Sequence, residues 1–225
     1  MDAPMDRSAP GATAAMSAEF GPWSAVQFLT MLLMWSVMMI GMMTPSVAPM
    51  ILIYARVARQ ASARGTPFAP SGWFALGYFL AWTGFALLAT LLQWALEGAL
   101  LLSPMTASAG PVLGGALLIV AGLYQWTPLK NACLSQCQSP LAFIQRHGGF
   151  RGRSGAALGL GLRHGGYCIG CCWALMVLLF VAGVMNLLWI AAIAALVLAE
   201  KLIRGRLFQR LAGLALVLAG SAQLT

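Results

Sequence analysis

The chain is poor in charge, and above all in acidic residues. Of its 225 residues, 13 are Lys or Arg and 5 are Asp or Glu, whereas 60% are hydrophobic. The mean hydropathy is +0.84. A soluble protein of this length could not bury so much apolar surface. The scarcity of charge therefore predicts an all-α polytopic membrane protein, because isolated spanning segments must satisfy their own backbone hydrogen bonds.

Signatures of conventional catalysis and of nucleic-acid binding are missing as well. The sequence has no P-loop, no dinucleotide-binding glycine fingerprint, no Ser/His/Asp arrangement and no carboxylate pair. These absences favour a protein that is not a conventional enzyme. The net charge of +8 comes without an RNA- or DNA-binding signature. Basic loops on the cytosolic side of a membrane explain that charge, so nucleic acid is not an expected partner.

The N-terminal segment lacks the basic start and the small-residue cleavage site of a signal peptide, so we expect the first apolar run to stay as a span. Residues 1–24 carry Asp2, Asp6 and Glu19 among Ala, Pro, Ser and Gly. This composition is typical of a disordered polar tail. Residues 25–225 form the predicted transmembrane helical domain.

Apolar runs that approach the roughly 20 residues of a bilayer span predict about six transmembrane helices. Pro45 and Pro49 should kink or break the first of them. In the alternative to six spans, the fourth and fifth apolar runs form one long helix. This arrangement would place the basic cluster at 201–210 on the outer side of the membrane, against the positive-inside rule. The expected spans are residues 28–54, 72–92, 112–126, a fourth ending near 185, 187–199 and 211–225.

Charge also predicts the orientation of the domain. Six spans with both termini outside put most basic residues on the cytosolic side of the membrane. Residues 127–155 then form a cytosolic, cysteine-bearing connection. Membrane lipid is an expected partner. A second membrane protein or another copy of the chain is the other candidate, because the short last runs leave apolar surface to cover.

All five cysteines and both histidines lie between residues 130 and 173. Cys133 and Cys137 are four residues apart, so on a helix both thiols point to one side. A second group shares a helix face in the same way, joined by His164 if the helix extends back that far. This second group is Cys168, Cys171 and Cys172.

Both cysteine groups are expected at the cytosolic edge of the membrane, where thiols stay reduced and structural disulfides are not expected. Thiolates converging from two elements can hold Cu(I), Zn(II) or, less readily, an iron–sulfur cluster. Lys130 and the nearby arginines would help to keep the thiols ionised. The alternative is that the cysteines only fill space as small apolar residues. Their confinement to one short stretch favours a transition-metal site.

Methionines in the first predicted span add a second signal. Met34, Met38 and Met42 fall on one helical stripe, together with Met31. Thioethers are neutral soft ligands that suit Cu(I), although a methionine stripe is just as typical of core packing. Because the thiols point independently to a soft metal, these three methionines are candidate ligands.

Other polar residues of the same region are expected to be structural. His147 lies in a loop, where a solvated side chain is expected. Glu200 and Lys201 stand at the end of a span, where they are expected to pair with each other.

Four sequence blocks occur in order along the chain: Met-Met-Ile-Gly-Met-Met-Thr-Pro-Ser at 38–46, Lys130-x2-Cys133-Leu-x2-Cys137-x2-Pro140, Cys168-x2-Cys171-Cys172-Trp173-x-Leu175-Met176, and Gly183-x-Met185-Asn186-x2-Trp189 with Glu200-Lys201. This series resembles a bacterial family of predicted metal-binding integral membrane proteins whose domain has no established function. The resemblance covers residues 25–205. It implies an inner-membrane location and a metal site to which all five cysteines are the candidate ligands.

Three functions remain open from the sequence. The first is the binding or transfer of a soft metal, with Cu(I) preferred over zinc. The second is a membrane dithiol oxidoreductase, in which Cys168 and Cys171 exchange with Cys133 and Cys137. The third is a structural or assembly subunit of a larger membrane complex. Only the first accounts for both the thiols and the thioethers, and it is the expected function.

Overall fold

The structure is a computed structural model that describes residues 23–65, 69–102, 108–147, 153–203 and 205–225. Residues 1–22 of the expected polar tail lie outside the described residues. Within the described ranges the chain is almost entirely helical, which confirms the predicted all-α class. The helices are α1 (Ala25–Ala63), α2 (Ser71–Gly98), α3 (Pro111–Tyr124), α4 (Pro128–Gln138), α5 (Pro140–Arg146), α6 (Ser154–Val177), α7 (Leu179–Ala182), α8 (Leu187–Leu202) and α9 (Arg206–Leu224).

Four helical segments of the described chain are long and apolar enough to cross a membrane: α1, α2, α6 continued by α7, and α9. Helices α3 and α4 meet the same requirement only together, and the chain bends by 68° between them. The sequence predicted about six spans, and the structure offers four or five. The difference arises because α3 has 14 residues and α8 has 16, fewer than the roughly 20 of a standard span.

Helix α1 runs without interruption through Pro45 and Pro49, so the break that the sequence allowed does not occur. The helix starts at a capping box in which Ser24 and Gln27 bond to each other's backbone. Tertiary contacts hold the proline-containing part, where Val47 and Met50 are buried in the core. Packing of this inner face offsets the backbone hydrogen bonds that proline cannot make.

Helices α2 and α6 pack closely because small residues face each other. A Cβ at Gly77 would run into the carbonyl of Leu158, and a Cβ at Gly161 would run into the carbonyl of Phe74. One turn after Gly161, a Cβ at Gly165 would lie 2.5 Å from the methyl of Ala81. Small residues at helical spacing let two backbones approach closely, as they do in membrane helix pairs. The contact fixes α6, which carries three of the cysteines, against α2.

Helices α3 and α9 also pack closely through glycines, at two positions along their length. A Cβ at Gly122 would lie 2.7 Å from the carbonyl of Gly213, and a Cβ at Gly220 would lie 2.7 Å from that of Gly115. The indole of Trp126 adds a hydrogen bond of 3.3 Å to the carbonyl of Arg210. The last helix of the chain is therefore held against the third.

The fourth and fifth apolar runs are separate helices, as the charge pattern predicted. Helix α7 ends at Gly183, whose φ of 85° favours glycine. Asn186 then caps α8 by accepting a hydrogen bond of 3.1 Å from the backbone of Trp189. The expected connection at 127–155 also proves more ordered than a loop, because α4 and α5 occupy much of it.

The glycine contact between α2 and α6 can be tested with a matched pair of substitutions. Gly161→Ala places a methyl group against the α2 backbone, so we expect a loss of about 1–3 kcal/mol of stability, the usual scale of overpacking. Gly159→Ala lies on the same helix with nothing within 4 Å of the new methyl and should be neutral or slightly stabilising. Thermal unfolding of the purified protein in detergent compares the two. Equal melting temperatures would contradict the close contact.

Candidate metal centre

Three cysteine sulfurs converge where α4 packs against α6. The Sγ atoms of Cys137, Cys168 and Cys171 all lie within 4.8 Å of one another. Cys168 and Cys171 are buried and Cys137 is half-buried. A metal–sulfur bond of about 2.3 Å places three sulfurs around one ion roughly 4 Å apart. The three thiols, here called the sulfur triad, are therefore close enough to share a soft ion.

The bend between α3 and α4 brings the triad together. Thr127 caps α4 by accepting a hydrogen bond of 3.3 Å from the backbone of Lys130, and Pro128 occupies the first turn. Just before the bend, the Tyr124 hydroxyl donates to the carbonyl of Gly170 on α6. Helix α4 therefore starts next to α6 and lies against it, which brings Cys137 to the cysteines of α6.

Cys168 has the most polar surroundings of the triad. The Lys201 ammonium donates a hydrogen bond of 3.0 Å to its sulfur, and the Tyr78 hydroxyl lies 3.1 Å from the same atom. The backbone carbonyl of Cys168 accepts from the thiols of Cys171 at 3.1 Å and Cys172 at 2.9 Å. The positive charge of Lys201 offsets the negative charge that thiolate ligands bring into a buried site.

A buried ion pair fixes α4 against α8 beside the triad. Lys130 Nζ lies 2.7 Å from Glu200 Oε2, and both side chains are almost completely buried. Lys130 also donates to the amide oxygen of Gln125, and Gln138 donates to the backbone carbonyl of Glu200 at 2.8 Å. The expected pairing of Glu200 with Lys201 is therefore wrong. Neighbouring residues of a helix point in different directions, and each finds a partner on another helix.

The structure does not bring every predicted ligand to the triad. Cys172 lies on the same helix, and its thiol bonds the Cys168 carbonyl as that of Cys171 does, but its sulfur is not in the group that lies within 4.8 Å. Cys133 is half-buried, one turn before Cys137, and its sulfur abuts Gly170, where a Cβ would lie 2.8 Å away. Among the described residues, the group close enough to share an ion contains neither of these cysteines.

His164 also stands outside the triad. Its ring packs against Phe74, Tyr78 and Phe143, with centroid distances of 5.9, 5.8 and 4.9 Å. Its buried Nδ1 has no hydrogen-bond partner within the described part of the chain. His164 lies on the predicted helix, yet its contacts are those of an aromatic core residue.

The predicted methionine ligands lie in or against the core of the bundle. Met42 is buried, whereas Met34 and Met38 are half-buried. Met39, Met43 and Met50 are buried more completely. These positions agree with packing, and the role of Met34, Met38 and Met42 as copper ligands stays a prediction.

Sequence reasoning did not foresee the contacts of three polar residues in this region, namely Lys201, Tyr78 and His147. It assigned the charge near the thiols to Lys130, which the ion pair with Glu200 occupies. His147 is not a solvated loop residue, because it caps α5 and its ring stacks on Phe143 at 4.5 Å. The visible signal for Lys201 was a lysine at the end of a strongly apolar run. Its partner on α6 could be known only from the fold.

Comparison with known proteins points to copper as the metal. Residues 32–223, which include all five cysteines, match the copper chaperone family PpoB2. The chain belongs to this family. The match is consistent with copper handling, and it lends no support to zinc. No curated protein and no solved structure matches the chain.

Copper binding by the chain should depend on the charge of Lys201. Replacing it by Leu leaves the negative charge of a loaded triad without compensation and adds no metal ligand, so we expect the Cu(I) affinity to fall by about 10- to 100-fold, the usual range for groups that contact a metal ligand. Lys201→Arg keeps the charge and should retain most of the affinity. Competition with a chromophoric Cu(I) chelator measures both variants. An unchanged affinity in Lys201→Leu would show that the contact is incidental.

Proposed function

We propose that this copper chaperone holds Cu(I) between Cys137, Cys168 and Cys171 and passes it on by ligand exchange. The mutual distance of the three sulfurs, at most 4.8 Å, is the observation that carries the proposal. Thiolates are soft ligands that favour Cu(I), and burial of two of the three sulfurs protects the ion from water and oxidants. The ion is the cargo of the protein, so its valence stays unchanged from arrival to release.

Loading must release protons from the triad. Cys171 donates a hydrogen bond to the Cys168 carbonyl and is therefore a thiol in the empty site. A copper-binding cysteine must be deprotonated, so the ion displaces at least this proton. Lys201, already beside Cys168, supplies positive charge when the thiolates form. The site can thus exchange protons for Cu(I) without moving a charged side chain into the interior.

We propose the following test of the triad. Cys→Ser at position 137, 168 or 171 removes one of three ligands, so each variant should lose tightly bound Cu(I), with the affinity reduced at least about tenfold. Cys172→Ser is the matched control, because a hydroxyl can keep the bond to the Cys168 carbonyl. Copper content by mass spectrometry and chelator competition give the readout.

Equal copper content in the triad variants and the wild type would refute the three-thiolate site. The alternative function is that of a dithiol oxidoreductase. The short distances between the three sulfurs also favour this function, because they would let two thiols form a disulfide. A protein that binds no Cu(I), but whose Cys137 and Cys168 resist alkylation after oxidation and react after reduction, would support that function instead.

We propose that the chaperone resides in a bacterial inner membrane, with the triad near the cytosolic face and both termini outside. The strongly apolar segments α1, α2, α6 with α7, and α9 support membrane insertion. Lipid would cover the exposed side chains of the bundle, such as Leu187, Leu188 and Leu207. The triad faces the cytosol with both termini outside only if α3 and α8 also cross, and short helices can do so where the bilayer thins locally.

Reporter fusions test this orientation. A periplasmic phosphatase fused after Thr225 should be active, whereas the same reporter inserted at Gly65, between α1 and α2, should be inactive. A fluorescent protein that folds only in the cytosol, placed at the same two sites, is the reciprocal control. Activity of the phosphatase at both sites or at neither would contradict the proposed orientation.

A further inference from the structure

A pocket of about 500 Å³ opens close to the sulfur triad and has its own cysteine. It is lined by Cys133, His147, Arg163, Gly166 and Tyr167. The volume lies within the range of small-molecule sites, roughly 300–1,000 Å³. The walls combine a soft ligand, an imidazole, a phenol and a guanidinium. This combination is unusual on the surface of so apolar a chain, and the copper site proposed above uses none of it.

His147 directs a ring nitrogen toward the Tyr167 hydroxyl in this region. Its Nδ1 lies 2.9 Å from the backbone carbonyl of Phe143, which can only accept, so Nδ1 carries the proton. In the neutral ring Nε2 is then an acceptor, and it lies 3.4 Å from the Tyr167 hydroxyl. The stacking of the ring on Phe143 fixes this orientation. The imidazole therefore faces the pocket lining with Nε2, the nitrogen that accepts from Tyr167 and could contact a soft ion in its place.

Cys133 connects the pocket with the triad. It lines the pocket and is half-buried, whereas two of the three triad cysteines are buried. It precedes Cys137 by one turn of α4, and its sulfur abuts Gly170, the residue before Cys171. No other cysteine lines a pocket among those described for the chain. Cys133 is therefore a half-buried thiol that lines the pocket, one helical turn from Cys137 and against the residue that precedes Cys171.

We propose that Cys133 is the transfer ligand of the chaperone and that its pocket is the port at which Cu(I) is exchanged as a thiolate complex. This inference rests on the proposed function, since it presumes that the triad holds the ion. The chemistry that the pocket recognises is a sulfur-bound Cu(I) with negative charge nearby, because Arg163 provides a cation in its wall. Such a complex can be a small anionic thiol or a cysteine of a donor or acceptor protein.

The exchange balances without any redox partner. Cys133 loses its proton and its sulfur bonds to the Cu(I) of the carrier complex. The bond between Cu(I) and the carrier sulfur then breaks, and that sulfur takes up a proton and leaves as a thiol. Copper remains monovalent throughout. A second exchange of the same kind moves the ion from Cys133 to Cys137, after which Cys168 and Cys171 complete the coordination. Release follows the reverse order.

The decisive experiment separates the rate of copper loading from the amount bound. Full-length protein in detergent is mixed with Cu(I)–glutathione, and the Cu(I)–thiolate absorption is followed by stopped flow. Cys133→Ser should slow loading by about tenfold or more, yet leave the equilibrium Cu(I) content and affinity close to wild type. Cys172→Ser, which lies outside the port and the triad, should load at the wild-type rate.

A second pair of variants tests the proposed exchange pocket without replacing a cysteine. Gly170→Ala puts a methyl group 2.8 Å from the Cys133 sulfur, so it should slow loading, whereas Gly159→Ala on the same helix has open space and should not.

Arg163→Gln should slow loading from anionic Cu(I)–glutathione more than from the Cu(I) complex of neutral mercaptoethanol. A Cu(I)-loaded Cys-x-x-Cys peptide as donor tests the protein source, because a port for small thiols alone would accept it slowly.

Two outcomes would overturn the port. Wild-type loading rates in Cys133→Ser would show that copper enters elsewhere, and loss of Cu(I) at equilibrium in that variant would make Cys133 a resident ligand. Neither result would affect the triad. The failure of the proposed function is a different observation, namely a wild-type protein that binds no Cu(I) from any donor.

Discussion

The arrangement of the whole site depends on how α4 is held against its neighbours. The chain turns by 68° after α3, and without support α4 would have no fixed position relative to α6. The buried ion pair between Lys130 and Glu200 supplies that support from α8. A buried ion pair contributes little net stability, but removing one partner is strongly destabilising, by about 3–5 kcal/mol. Its role here is to specify one position for α4, and with it the distance from Cys137 to the cysteines of α6.

The glycine contacts complement this polar anchor. Gly77, Gly161 and Gly165 bring α2 and α6 to backbone contact, which also brings Tyr78 to Cys168. Helix α6 is thus held on one side by close packing and contacted on another by a helix that an ion pair positions. Two of the triad sulfurs lie on the tightly packed helix, and the third lies on the short one. The third sulfur, that of Cys137, thus lies one helical turn from the half-buried Cys133.

Sequence reasoning succeeded where the signal was local. Spacing predicted that Cys168 and Cys171 share a helix face, and the charge pattern predicted the break before α8, because both depend on neighbours along the chain. It failed where residues meet across the fold. Glu200 and Lys201 are adjacent in sequence and opposite in charge, yet they contact Lys130 and Cys168, which only the packing of α8 could reveal. His164 has the right spacing for a ligand, but aromatic rings from α2 and α5 enclose it.

The burial of Glu200 and Lys130 has a consequence for how the protein is assembled. Either charge alone in an apolar interior would be costly enough to oppose its burial. Helix α8 therefore cannot settle in its final place before α4 has docked, and α4 cannot dock stably before α8 arrives. The docking of α8 is thus coupled to the docking of α4, which carries Cys137, so the chain cannot complete the packing of α8 while the sulfur triad is unassembled.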